Sequence, residues 1–244
     1  SPGVRGTSRL SPYLRFGEIS PKTIWHVSKD YSNPGTDHFV REVGWREFSY
    51  LLMANFPFLA NKPLRENFEQ FPWRDSDEDY EAWTKGMTGY PIVDAGMREL
   101  YATGWMHNRV RMIVSSFLVK HLLIDWRKGE RWFFDTLLDG DFCSNNAGWQ
   151  WVSGGGADAA PYYRIFNPIL QGKKFDTGGR YVRKWVPEIA DIPNANLHAP
   201  WELSEGQLQL FGVKLGETYP EPIVNHEFAR KRALESFDQI TAKK

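Results

Sequence analysis

Apolar residues in this chain recur about three and four positions apart, and no segment alternates convincingly between apolar and polar. That spacing belongs to helices, whereas a half-buried strand repeats every second residue. Phe39, Val43, Phe48, Leu51, Leu52 and Phe56 keep the helical spacing across residues 38–56. Residues 91–101, 106–124 and 130–138 read as further helices, the second of them amphipathic to strongly buried. Ser20-Pro21 is a cap followed by proline at the first helical position, which predicts a helix over 22–30. A charged helix is expected over 225–240. Neither a βαβ unit nor a GxGxxG fingerprint is present. Residues 152–174 are rich in Gly and Pro, and 186–222 are punctuated by proline, so both read as irregular. The expected fold class is all-α, a multi-helix assembly with long functional loops.

Bulk properties narrow the classes of function. The 244 residues suffice for a large core. Basic and acidic residues balance at 30 each, so a polyanionic partner would need a local basic face rather than a basic whole. Cys143 is the single cysteine, which excludes an intramolecular disulfide and fits a reducing compartment. No window approaches about 18 uninterrupted apolar residues, and the first residues lack a signal pattern. A cytoplasmic protein without membrane association is therefore expected. His26, His38, His107, His121, His198 and His226 show no ligand spacing, so no metal is expected. Aromatic residues make up 15% of the chain, and most of them are assigned to the core.

The segment from Asp139 to Trp151 is the strongest functional candidate. It sets Asp139 and Asp141, then Asn145, Asn146 and Gln150, beside Trp149 and Trp151, with Gly140 and Gly148 letting the backbone come close. Acids and amides are rarely buried unpaired, so the mixture suits a pocket for a flat polar ring better than a plain core. Glu42, Trp45 and Arg46 stand at i, i+3 and i+4 and share a helix face. They read either as a surface ion pair beside a packed ring or as a ligand-facing trio. In His107–Met112, residues Asn108, Arg111 and Met112 project to one side and Arg109 flanks them. Two arginines and an amide entering a buried helix need acceptors, and Asp139 and Asp141 are suitable. Thr7-Ser8-Arg9-Leu10-Ser11-Pro12 offers hydroxyls and an arginine ahead of a helix start, either a phosphate cradle or a simple cap.

Taken together, Gly6–Ser11, Trp45–Phe48, Phe71–Trp73, Thr88–Asp94, Thr103–Arg109 and Asp139–Trp151 resemble the flavin-binding helical domain of the photolyase/cryptochrome family. Arg164–Pro168, Gln171-Gly172 and Tyr219–Val224 extend the likeness over nearly the whole chain. The resemblance implies FAD, folded back on itself, as the cofactor. Thr7, Ser8, Arg9, Leu10 and Ser11 would then hold the diphosphate, and Asp139, Gly140 and Asp141 would meet the ribityl, ribose or flavin edge. Asn145 would sit beside flavin N5, Arg111 would pair with Asp139, and Phe39, Arg46 and Asn108 would complete the cofactor set. Trp149, Trp126 and Trp73 resemble the family's electron route from surface to flavin.

The resemblance further implies UV-damaged DNA as the partner and light-driven splitting of cyclobutane pyrimidine dimers as the activity, that of a carbon–carbon lyase. Glu42 would hydrogen-bond the dimer, Trp45 and Trp151 would pack against its rings, and Asn108 and Met112 would line its pocket. Arg109, Arg164 and Gln171 would contact the lesion strand. Met112 and Asn145 match the dimer-repair branch, whereas residues 94–100 are also close to plant cryptochromes, photoreceptors without repair activity. The family's N-terminal α/β antenna domain has no counterpart in residues 1–244, which read as the helical catalytic domain alone. A monomer is expected.

Overall fold

Proline and a capping side chain start helix after helix. A computed structural model describes residues 1–31, 33–159 and 163–242. In it Ser20 caps α2 (Pro21–Ser28), Asn33 caps α3 (Pro34–Asn55) and Asn167 caps α9 (Pro168–Phe175), each with proline in the first turn. A cap oxygen takes an N–H that the helix cannot pair, and proline there has no N–H to lose. The Asn33 cap, which receives the Thr36 N–H at 3.0 Å, starts α3 four residues before the expected 38. The same signal in Asn167-Pro168 makes a helix of part of the segment expected to be irregular.

The remaining helices are α1 (Ser11–Arg15), α4 (Asp77–Thr84), α5 (Pro91–Thr103), α6 (Asn108–Ser116), α7 (Trp126–Thr136), α8 (Phe142–Ser153), α10 (Arg180–Trp185), α11 (Glu205–Leu210) and α12 (His226–Thr241). No strand occurs among the described residues, and one isolated bridge joins Leu215 to Tyr219. The fold is all-α, as expected. The helix expected over 106–124 begins at Asn108 and passes after Ser116 into a π-helical turn, Phe117–His121, buried along its whole length. The helix expected over 130–138 begins earlier, at Trp126, because the Asp125 carboxylate takes the Arg127 N–H at 2.9 Å.

The core lies where α5, α6, the π turn, α7 and α8 converge, with Trp83, Met97, Val114, Phe117, Phe133 and Trp149 inside it. Asp94 of α5 is wholly buried yet fully met: it accepts from Thr88 N (2.7 Å), Thr88 Oγ1 (2.6 Å), Gly89 N (3.0 Å) and Tyr219 OH (2.6 Å). That set pins the 88–94 turn to the closing segment. At the site end, α8 packs against α7 on one side and α3 on the other. Gly129 of α7 permits the first contact, since any Cβ there would collide with the Trp149 ring and Leu118.

Candidate functional site

Between α3, α6 and α8 lies a cavity of about 500 Å³, within the roughly 300–1,000 Å³ typical of small-molecule sites. It gathers most of the residues singled out in the sequence. Glu42, Trp45 and Arg46 come from α3, Asn108, Arg111 and Met112 from α6, Asp139, Gly140 and Asp141 from the turn before α8, and Asn145, Trp149 and Trp151 from α8 itself.

The polar groups of this wall are anchored individually. Arg111 Nη2 donates to both oxygens of Asp139, at 3.0 and 2.8 Å, and its Nε donates to the Met106 carbonyl at 2.8 Å. The expected Arg111–Asp139 pair is therefore present, with the Asp139 side chain almost fully buried. Asp141 caps α8 by accepting the Ser144 N–H at 2.8 Å, and the Tyr50 hydroxyl donates to its other oxygen. Burial alone would raise the Asp141 carboxyl, but the Tyr50 and Ser144 hydrogen bonds outweigh it and hold it below the ordinary carboxylate range. The Asp141 hydrogen bond in turn pushes the Tyr50 phenol up. Asn145 donates through Nδ2 to the Glu130 carbonyl at 2.8 Å, which leaves its Oδ1 as the end available to the cavity.

Behind this first layer a network fastens α8 to the loop after α3. Asn146 Nδ2 donates to Leu59 O and Glu130 Oε1, both at 2.9 Å; Gln150 Nε2 donates to Leu59 O at 2.9 Å, and its Oε1 accepts from Leu64 N at 3.0 Å. Burial raises the Glu130 carboxyl despite the Asn146 bond. Asn146 and Gln150 belong to the cluster marked in the sequence, but their partners Glu130, Leu59 and Leu64 were not singled out there, nor were Tyr50 and Arg15, whose Nε donates to Gly140 O at 2.6 Å. For Tyr50 a signal existed: it lies four residues beyond Arg46, whose guanidinium stacks on it at 4.6 Å.

The α3 trio divides differently from the surface-pair reading. Glu42 sits 3.8 Å from His38 and Arg46 lies 2.5 Å from Glu47, so Glu42 and Arg46 do not pair with each other. Trp45 is 45% exposed, too open for a packed core ring, and meets Phe48 edge-on at 5.6 Å. Other candidates lie off the cavity wall. Thr7, Ser8, Arg9 and Ser11 are exposed and Leu10 is half-buried; Arg9 stacks on Trp105 at 4.3 Å. Phe39 is half-buried on α3, Arg109 stacks on Phe175 at 4.5 Å, and Gln171 is half-buried on α9. Arg164 is exposed, and its carbonyl receives Lys120 Nζ at 2.8 Å. Trp126 is buried in the core that holds Trp149, and Trp73 packs half-buried against it. Among the described residues, however, the rings paired with Trp149 are Phe133 (5.0 Å) and Trp83 (6.1 Å).

The donor set suits a large polar heteroaromatic ligand. Amides and guanidinium groups stand beside indoles, and the buried Trp149 N–H, on a residue of the wall, has no hydrogen-bond partner among the described residues. A dinucleotide such as FAD, with a hydrogen-bonding ring edge, hydroxyls and phosphates, offers the complementary groups. By contrast, no group of three or more His, Cys, Asp or Glu among the described residues is placed to hold a metal ion, and no helix there is long and apolar enough to cross a membrane.

Comparison with known proteins agrees with this donor set. The family described as FAD binding domain of DNA photolyase matches residues 39–239. A deoxyribodipyrimidine photo-lyase of Agrobacterium fabrum is 55% identical over 98% of the chain, which covers 51% of that protein. Cryptochrome-1 of Arabidopsis thaliana is 42% identical over 96% of the chain and 36% of its own length. The crystal structure of a class III photolyase from Agrobacterium tumefaciens superposes with a TM-score of 0.95 at 53% identity, covering 99% of this chain and 51% of that one. The chain thus spans about half the length of the photo-lyase it resembles.

Proposed function

The chain belongs to the photolyase/cryptochrome family, and from that premise we propose that it is the catalytic domain of an enzyme that uses light to split cyclobutane pyrimidine dimers in DNA. The observation that carries the reading is the meeting of Glu42 and Trp45, Asn108 and Met112, and Asn145, Trp149 and Trp151 around one cavity. The name of the Agrobacterium relative supports the same substrate class. Bound FAD, reduced and excited by light, would supply the electron that opens the dimer, chemistry that belongs to the cofactor.

The side chains bind and orient. The Arg111–Asp139 pair and the capped Asp141 would hold the cofactor, and Asn145, whose Nδ2 is tied to the Glu130 carbonyl, would offer it Oδ1. Arg46 and Asn108 of the cavity wall would complete that set, with Phe39 and, toward the diphosphate, Thr7–Ser11 contributing from beyond the wall. At the open side, Glu42 offers a carboxylate to the edge of a damaged pyrimidine pair, while Trp45 and Trp151 flank its rings and Met112 excludes water. A lesion already weakened in its stacking costs only about a few kcal/mol to swing out, which favours damaged over intact DNA. Arg109, Arg164 and Gln171 hold the strand outside, arginine forks suiting phosphate oxygens. Trp149 on the cavity wall, with Trp126 and Trp73 packed in and against the same core, would serve as a route for electrons to a bound flavin. The domain acts as a monomer in the cytoplasm.

Dimer splitting under near-UV or blue light tests the proposal, together with the absorption spectrum of the purified chain. Glu42→Ala should retain flavin but split dimers about tenfold more slowly, the usual worth of a hydrogen bond to a charged group; an unchanged rate removes Glu42 from that role. Trp149→Phe should block photoreduction yet spare repair by flavin already reduced. Likeness to a plant cryptochrome favours a second reading, a photoreceptor, which photoreduction without any splitting would select.

A further inference from the structure

A second, smaller pocket of about 40 Å³ lies behind Trp151 and Val152, two residues it shares with the main cavity. That is roughly three times the ~10–15 Å³ that one water needs. Its lining carries Lys120, Ser116 and Tyr163, with Arg65 and Arg164 also on the wall and no carboxylate among the described residues. All three central residues are buried: Ser116 is 2% exposed, Lys120 3% and Tyr163 8%. The Ser116 Oγ and the Tyr163 hydroxyl have no hydrogen-bond partner among the described residues. Lys120 Nζ uses one donor on the Arg164 carbonyl at 2.8 Å and lies 3.8 Å from the centre of the Tyr163 ring. No carboxylate forms an ion pair with it among the described residues.

A buried ammonium without a counter-charge, beside two unsatisfied hydroxyls, is an arrangement that an anion would complete. Burial, reinforced by the charge of Arg164, brings the Lys120 ammonium down to about 7, and an anion beside it would restore its proton. Nothing in the proposed repair chemistry calls on Ser116, Lys120 or Tyr163. We propose that this pocket is a phosphate subsite, in which Lys120, Ser116 and Tyr163 converge on one phosphate oxyanion. Inorganic phosphate and the phosphodiester of a DNA strand share that chemistry. Because Trp151 stands between the two cavities, a strand whose bases enter the larger one brings its backbone past the smaller. That second source rests on the DNA-repair reading; the subsite does not.

The test titrates the whole chain with inorganic phosphate by ³¹P NMR, in wild type, Lys120→Met and Tyr163→Phe. Saturable binding should weaken about tenfold in Lys120→Met and to a smaller degree in Tyr163→Phe, the milder change that keeps the test open should the first variant not fold. A second arm uses a dimer-containing single strand with one neutral methylphosphonate linkage moved stepwise past the lesion. If DNA supplies the phosphate, one position weakens wild type most, Tyr163→Phe less and Lys120→Met least. In that case Lys120→Met also lowers the slope of log affinity against log salt by about 0.7. Phosphate binding that responds to the variants, with no sensitive linkage, assigns the site to free phosphate. Phosphate binding in a chain that ignores damaged DNA leaves the subsite standing and overturns the repair reading. No variant-sensitive phosphate binding, together with no sensitive linkage, means that the pocket holds water only, and the proposal falls.

Discussion

Asp141 ties three parts of the site together: it caps α8 through Ser144, accepts from Tyr50 of α3, and faces the cavity. Its carboxyl is held below the ordinary 3.8, so the folded chain keeps it ionised at pH values where an unfolded aspartate has taken up a proton. The stabilisation is complete above the unfolded value and drains away as pH falls through the lower folded one. Asp141→Asn keeps a competent cap, because asparagine serves as well as aspartate at that position, but loses the charge that Tyr50 supports. The variant should be less stable than wild type by about 1–3 kcal/mol at neutral pH, and the gap should begin to narrow as pH falls below about 4. Urea midpoints measured from pH 3 to 7 check this; a gap independent of pH would mean that the ionised carboxylate is not what matters.

At the scale of elements, two helical glycines should answer the same substitution with opposite signs. Replacing glycine by alanine in an open helix position gains about 0.5–1 kcal/mol. Gly44, on the exposed side of α3, has open space where an alanine Cβ would stand, with nothing within 4 Å, and should show that gain. Gly129 of α7 faces Trp149 and Leu118 with no room for a methyl group, and overpacking costs about 1–3 kcal/mol, which exceeds the propensity gain. Gly129→Ala should therefore be destabilised and Gly44→Ala stabilised in one denaturation series; equal signs would show that the α7–α8 contact yields easily. The contrast also marks what the sequence could disclose. Spacing along one helix placed Glu42, Trp45 and Arg46 on a shared face, and local density marked Asp139–Trp151. Both signals act over a few residues. Gly129 against Trp149, and Arg15 against Gly140 across 125 positions, exist only once helices pack, so no local pattern announces them. The start of α3 at Pro34 and the α9 helix were legible in Asn33-Pro34 and Asn167-Pro168, but apolar spacing alone set the expected boundary four residues late and left α9 unread.

Across the whole molecule, the cavity borrows part of its wall from the core: Phe133, Leu137, Trp149 and Val152 line it and belong to the main buried cluster. Its walls come from α3, α6 and α8, which are cross-linked around the rim by Tyr50–Asp141, Arg111–Asp139 and the Asn146–Gln150 network. A ligand that touches every wall binds the folded chain and finds no comparable site in the unfolded one, so its binding energy appears as stability. At a hundredfold excess over its dissociation constant, FAD should add about 2.7 kcal/mol. In a domain of this size each kcal/mol moves the melting temperature by about 2–4 °C, so the expected rise is about 5–11 °C. Differential scanning fluorimetry with FAD, and with FMN as the ligand lacking the adenosine half, measures it. A full shift with FAD and a smaller one with FMN would show that the cavity reads both ends of the dinucleotide. Equal shifts would confine recognition to the flavin half, and no shift with either would remove the cofactor from this cavity, because the linkage between binding and folding requires none of the later chemistry to work.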